Sequence, residues 1–428
     1  MKFIISSLVV SLVVNGTSAQ ELLDSEPVKG LTQLQEDEAA PEAAPEAVTE
    51  EPAAEAGEGE VVSTKKVPFT HPVMESIGCV LMYILIALSN AGGLSGAGSN
   101  IPIMLIFFSL EMGEAVPISA FVAVCATVFR FILNFRQRHP KNPERVAINY
   151  EIVQLTMPCV FLGSFLGVML GKAIGEDAQM CIFGITVAWS IQTTSKKALQ
   201  LLAKEKEMEG KESNNETLLA DEVTEEDQSI EGITPELKDI KYQEKYHFTG
   251  QRLFFIAVNF CVLFATQFLY GGKGGFELPQ WGKNAVLLTF IVTMLLATVW
   301  SVMRVNTIHE IKTRDGYKFD ANDTKFEKVS DIAKLAFFCM IAAVLCGCTG
   351  IAGGMVLGPL FLKYNMIPSV MSGTNQYITM IASVSVAIQF MYIGAMNFQY
   401  AFIFGGLTLI AAYSGITAVN IYVKRSGK

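Results

Sequence analysis

Two glycine-rich stretches, GLSGAG from Gly93 to Gly98 and GIAGG from Gly350 to Gly354, are where this sequence could do chemistry. Each lies inside a long apolar run, so each would interrupt a helix in a place without water. Backbone N–H groups freed there must be satisfied by protein, water or ligand. The half-helix that follows presents its positive N-terminal end, where an anion is favoured without any formal cation. Ser99, Asn100, Thr374, Asn375 and Gln376 are the hydrogen-bonding side chains nearest the breaks. Together with Gly96, Gly98, Gly353 and Gly354 they form the expected substrate-binding set, and an oxyanion with several acceptor oxygens would suit it. The competing reading is that the glycines only permit close helix packing. For a single copy that reading is the stronger; two related copies favour a ligand.

Other chemistries find no candidates. The four histidines, His71, His139, His247 and His309, lie at or beyond the ends of apolar segments, and no Asp or Glu falls in the middle of one. There is no GxxxxGK[ST] phosphate loop. Cys346 and Cys348 are too closely spaced for the usual zinc pair, and all eight cysteines fall in or beside apolar segments, which argues against disulfide stapling. The expectation is therefore no enzyme, no catalytic residues, no metal and no cofactor. Three cations, Arg130, Lys334 and Lys363, sit near segment ends and are expected to snorkel to the membrane surface.

The elements that must position these groups are membrane helices. The chain has 428 residues, 51% of them hydrophobic and only 17% charged, which is more apolar surface than one soluble core needs. Runs such as Ala285 to Met303 and Ile378 to Ala395 are close to charge-free and about long enough to cross a hydrocarbon core of roughly 30 Å. Apolar segments fall at 75–91, 99–110, 117–135, 151–172, 178–198, 252–271, 284–303, 330–346, 351–364, 369–392 and 397–423.

The N-terminus reads differently. Lys2, the apolar Phe3 to Val14 and the small-residue site Thr17-Ser18-Ala19 make residues 1–19 an expected cleavable signal peptide. Residues 20–70 form an acidic, extracytoplasmic arm expected to be disordered. From Gln20 to Lys66 it carries 13 acidic and 3 basic residues, a net of about −10 against a formal −9 for the whole chain. The membrane body is thus close to neutral, and the low pI says nothing of a substrate. The remaining divisions are a first transmembrane repeat at 71–198, a charged cytoplasmic loop at 199–251 and two connecting helices at 252–303. A second cytoplasmic loop at 304–329 leads into the second repeat at 330–424. The 199–251 loop reads as a solvated connector.

Starting outside and crossing at each segment puts the basic stretches at Arg136 to Lys141, Lys196-Lys197, Arg304 to Lys328 and Lys424-Arg425 in the cytoplasm, as the positive-inside rule asks. The count works only if 75–110 and 330–364 are hairpins that return to the side they entered from. These hairpins also repeat in sequence: Gly93, Gly96 and Pro102 align with Gly350, Gly353 and Pro359. Downstream, Pro117 is expected to open one helix and Pro368 the matching one, and Asn149 pairs with Asn397 and Gly167 with Gly415. The expected fold is an all-α, polytopic transmembrane helix bundle with two inverted repeats, each containing a Gly/Pro-broken helical hairpin. That layout belongs to secondary transporters.

The paired motifs ending in Pro102 and Pro359, the start Pro368-Ser-Val-Met-Ser-Gly-Thr374, and the helix entries Asn149-Tyr150 and Asn397-Phe398 resemble the two halves of the sulfite exporter TauE/SafE family. The resemblance covers about residues 75 to 200 and 250 to 424. Two departures stand in the first copy: Ser119 to Ala123 where the family tends to carry Gly-Thr, and Gly98-Ser99-Asn100 where three glycines are usual. The resemblance implies movement of sulfite, a sulfonate or a related organosulfur anion by alternating access, without ATP hydrolysis. An anion channel or a non-transporting membrane receptor on the same scaffold is the alternative. The expected partners are the lipid bilayer and a small-anion substrate, with no nucleic acid and an oligomeric state left open. The expected location is a membrane of the secretory pathway, with the N-terminus extracytoplasmic and the C-terminus cytoplasmic.

Overall fold

The computed structural model describes residues 71–91, 96–139, 142–212, 234–247, 249–270, 278–317, 326, 328–351, 353–364 and 366–426. The signal peptide, the acidic arm and the sequons at Asn215 and Asn322 lie outside these residues, as do Gly93 to Ser95 of the first break. The described residues form one compact unit of twelve helices and no strand, the single isolated bridge joining Arg138 and Val146. The all-α, polytopic expectation therefore holds.

In chain order the first four helices are α1 (Pro72–Ala91), α2 (Ala97–Phe107), α3 (Met112–Asn134) and α4 (Tyr150–Ala173). The middle four are α5 (Glu176–Glu212), α6 (Pro235–Lys245), α7 (Gly250–Tyr270) and α8 (Gln280–Arg314). The last four are α9 (Val329–Thr349), α10 (Gly354–Lys363), α11 (Pro368–Ile393) and α12 (Phe398–Ser426). Eight of them, α1, α3, α4, α7, α8, α9, α11 and α12, are long and apolar enough to cross a membrane. The 178–198 segment lies in α5, which has the length but not the hydropathy of these eight. Helices α2 and α10 have 11 and 10 residues, about 15 Å at 1.5 Å per residue, and reach halfway through a bilayer.

Helix α4 lies at the centre, with 83% of its apolar window buried, whereas α1, α7 and α8 are at the rim with 22%. Their outward faces carry Leu88, Phe254, Leu296 and Met303, exposed large side chains that suit lipid and would be a liability in water. Glycines let the central helices touch. A Cβ on Gly167 would lie 2.3 Å from the Val344 carbonyl oxygen, and one on Gly347 2.6 Å from that of Ser164, so α4 and α9 cross backbone to backbone. Gly415, which aligns with Gly167 in sequence, makes the matching approach of α12 to α1, where a Cβ would lie 2.2 Å from the Ala87 carbonyl oxygen.

The contacts between helices recur in pairs. Helix α9 packs on α4 as α1 packs on α12; α11 packs on α4 as α3 packs on α12; and α3 pairs with α11. The two hairpins enter from opposite ends of the bundle. Gly163, Gly167 and Gly171 meet α9 at successively later positions, so α9 runs parallel to α4 and starts at the same end. Gly78 and Phe108 sit with Tyr400 and Phe404, and Ala87 with Gly415, so α1 starts at the opposite end, where α12 starts.

Two expectations are revised. Pro368 does open α11, but Pro117 lies inside α3, whose first turn begins at Met112 behind an extended Glu111. The 199–251 loop is not simply a solvated connector: α5 continues to Glu212, and α6 buries Leu237, Ile240 and Gln243 against the bundle.

Candidate functional site

The site is built from the two bends. Gly96 adopts φ +73° just before α2, and Gly350 φ +69° just after α9; left-handed backbone of this kind costs an ordinary side chain dearly. At Gly350 there is no room either, since a Cβ would lie 3.0 Å from the Val116 Cα. The bend is satisfied locally: Gly350 N–H donates to the Cys346 carbonyl (2.9 Å), and Ser119 Oγ donates to the Gly350 carbonyl (3.0 Å). Ser119, one of the first copy's departures, is thus what binds α3 to the second break. Likewise Ser190 on α5 donates to the Met355 carbonyl (2.7 Å), and Gln179 to that of Cys348.

The two breaks meet. A Cβ on Gly98 would fall 2.2 Å from Met355 Sδ and 3.8 Å from Ile351 Cγ2, so the start of α2 rests on the start of α10. Beside this contact lies a cavity of about 40 Å³, bordered by Ala123, Ser164, Gly350, Gly353 and Ser383 among others. That is room for a few water-sized occupants and for nothing of drug size.

Of the nine expected site residues, the structure brings Gly353, Gly354 and Asn375 together directly: Asn375 Nδ2 donates to the Gly354 carbonyl (3.0 Å), and both glycines face Thr379 Oγ1. Asn100 is fully buried with neither side-chain atom partnered, and Asn375 Oδ1 and Thr379 Oγ1 are also sealed without partners. Ser99 instead closes its own turn by donating to the Gly96 carbonyl (2.8 Å). Thr374 turns the other way, its Oγ1 accepting from Asn149 N–H (2.8 Å), which couples the start of α11 to the start of α4. Gln376 Oε1 accepts from Asn134 (3.4 Å) while its Nε2 has no partner.

The cations separate. Lys334 is out in solvent, paired with Asp331 at 3.0 Å; the Lys363 side chain lies outside the described residues. Arg130 contradicts the expected snorkelling: it is 3% exposed on α3, and its Nε is buried without an acceptor. All eight cysteines are free thiols.

At the end of the bundle where α4 begins, a second polar cluster was not foreseen. Lys312 Nζ on α8 donates to Glu151 Oε1 (2.6 Å) on α4 and Glu244 Oε1 (2.7 Å) on α6, and Arg145 and Tyr317 also engage Glu244 (3.3 and 3.0 Å). Arg252 lies over the Tyr150 ring at 5.1 Å and donates to the Gln243 carbonyl (2.6 Å). Because Lys312, Arg145, Tyr317 and Arg252 each have an acceptor there, the cluster reads as a clasp rather than a binding site.

Fold and site together define a multi-pass helical membrane protein with two interrupted hairpins meeting in its interior. The family model for Sulfite exporter TauE/SafE matches residues 255–425. Among curated proteins, the chain is 26% identical over 363 residues to Sulfite exporter TauE/SafE family protein 2 of Arabidopsis thaliana, covering 82% of this chain and 78% of that protein. It is 23% identical to family protein 1 of the same plant over 365 residues (82% and 78%), and 23% identical to family protein 5 over 353 residues (82% and 77%). No solved structure matches. The chain therefore resembles the Sulfite exporter TauE/SafE model over residues 255–425 and these relatives over most of its length, and its eight candidate spans make it a multi-pass membrane protein. The family model covers the later part of the chain, which holds Pro359 and Gly373-Thr374. The full-length relatives align over about twice that length and so reach into the first half as well.

Proposed function

We propose that this protein is a secondary transporter that moves a small anion, sulfite or a sulfonate or other organosulfur anion, by alternating access between two inverted repeats. The observation that carries the reading is the junction of Gly98 with Met355, beside which Asn100, Asn375 and Thr379 hold buried, unpartnered polar atoms. Two hairpins entering from opposite ends and meeting midway are what rocking of one repeat against the other needs. Buried polar groups left open mark where a polar solute would complete the hydrogen bonding. The names of the relatives supply the substrate class. Residues 71–198 and 330–424 are the two repeats, residues 1–19 a signal peptide, and the end of the bundle holding the Lys312 clasp faces the cytoplasm.

Flux of radiolabelled sulfite into liposomes containing the full chain tests this, with sulfate, taurine and chloride as comparisons. Saturable sulfite uptake is expected, abolished in the double variant Gly353→Leu/Thr374→Val. Uptake no faster than in empty liposomes, from protein that is monodisperse and inserted, would remove the transport reading; uptake that never saturates would make it a channel.

A further inference from the structure

The seam between α3 and α11 holds a charge that the protein leaves unanswered. Asn134 on α3 donates to Gln376 on α11, and the neighbouring rings of Phe131 and Tyr377 lie 5.4 Å apart, which fixes the register of the two helices. Arg130 is one turn back from Asn134 on the same face of α3, and Thr379 is one turn on from Gln376 along α11. Both helices therefore deliver their polar side chains to one short stretch of the seam. Arg130 is 3% exposed, Gln376 5% and Thr379 2%.

Within that stretch Arg130 Nε, Gln376 Nε2 and Thr379 Oγ1 all lack a hydrogen-bond partner. No ion pair forms on Arg130 among the described residues. Other buried cations among the described residues are answered: Lys312 holds two carboxylates, and Arg252 donates to the Gln243 carbonyl and lies over the Tyr150 ring. A buried guanidinium without a counter-ion is among the most destabilising arrangements available to a fold, and it stands here beside two further donors. What is missing is an acceptor-rich, negatively charged group, and a planar guanidinium is shaped to take two oxygens of one. The cavity beside the breaks continues along the same seam, bordered by Ala123, two turns from Arg130, and Ser383, one turn from Thr379.

We infer that Arg130, with Gln376 and Thr379, forms an oxyanion-binding subsite in the α3–α11 seam, and that the guanidinium is the countercharge of the transported anion. The inference rests on the anion-transport reading above and names the residue that would carry its charge recognition.

The experiment uses the full chain in liposomes and in detergent, with sulfite as the probe. Arg130→Met is expected to remain folded and, without sulfite, to melt no lower than the parent, because it removes an unpaired buried charge. It should lose the sulfite-induced rise in Tm and raise the apparent KM for uptake about tenfold or more. Arg130→Lys, which keeps charge but not the planar fork, should retain saturable uptake with a KM raised several-fold. If Arg130→Met melts lower than the parent and keeps its KM, Arg130 is structural and the inference falls. Should the Met variant not be recovered folded, the Lys variant decides: an unchanged KM there overturns the subsite. If the parent itself moves no sulfite and gains no Tm from it, the transport reading fails first, and that result is distinct from either variant outcome.

Discussion

Gly167 and Gly353 are both interior glycines, yet a methyl group at each would meet different surroundings. At Gly167 it would lie 2.3 Å from a backbone carbonyl on α9, and neither helix can yield without separating the crossing. At Gly353 the nearest atoms are Leu357 Cδ1 at 3.6 Å and Thr379 Oγ1 at 3.7 Å, ordinary contact distances. Gly167→Ala should therefore cost about 1–3 kcal/mol, as overpacking does, and lower the Tm in detergent. Gly353→Ala should leave Tm within about a degree while altering sulfite uptake, because it narrows the space against Thr379. Equal Tm losses at the two positions would mean that both glycines serve only packing. The sequence made the glycines of both breaks legible because clustered Gly inside an apolar run has few other meanings. It could not separate them from Gly167, since type alone does not say what faces a missing Cβ. Arg130 was misread for a related reason: α3 is apolar on all sides, so nothing in its pattern told the buried face from the lipid face, and a cation near a helix end defaults to the interface.

The α6 helix was invisible in the sequence. It has eleven residues with Leu237 and Ile240 on one side, too short to hold a helix alone and set in a charged stretch. Its anchor, Lys312, lies about seventy residues further along the chain, and local patterning carries no information about such a pairing. Thr234 caps the helix by accepting from Leu237 N–H, and Pro235 opens it, which are local signals, but the docking depends on Lys312 between Glu151 and Glu244. Removing one member of a buried cluster leaves the others uncompensated and typically costs about 3–5 kcal/mol. Lys312→Ala should thus lower Tm and release α6, seen as new protease cleavage between residues 234 and 247. Paired replacement of Glu151 and Glu244 by Gln should hurt at least as much as the lysine deletion, because it leaves buried Lys312 without a counter-ion. Intact α6 in Lys312→Ala would show that Leu237 and Ile240 hold it by apolar contact alone.

At the scale of the molecule, the pairing of α9 with α4 and of α1 with α12 links each hairpin to the opposite half of the chain. The first helix of each hairpin is thus packed by a helix from the other half of the chain. Helix α5 leaves the level of Cys348 at Gln179 and passes Met355 at Ser190 on its way to the clasp end. On the orientation proposed above, with the basic loops in the cytoplasm, the sequons Asn215-Glu216-Thr217 and Asn322-Asp323-Thr324 are expected on the side without glycosylation. The chain expressed in a eukaryotic secretory system should accordingly show no mobility shift on treatment with peptide N-glycosidase. A sequon introduced at the opposite end, between Ala173 and Glu176 where α4 passes to α5, reports the other face, provided the acceptor is set far enough from the membrane by a short flexible insertion. A shift from Asn215 with none from the inserted site would invert the whole bundle, putting the Arg130 seam and both breaks in the reverse order along the path of the anion.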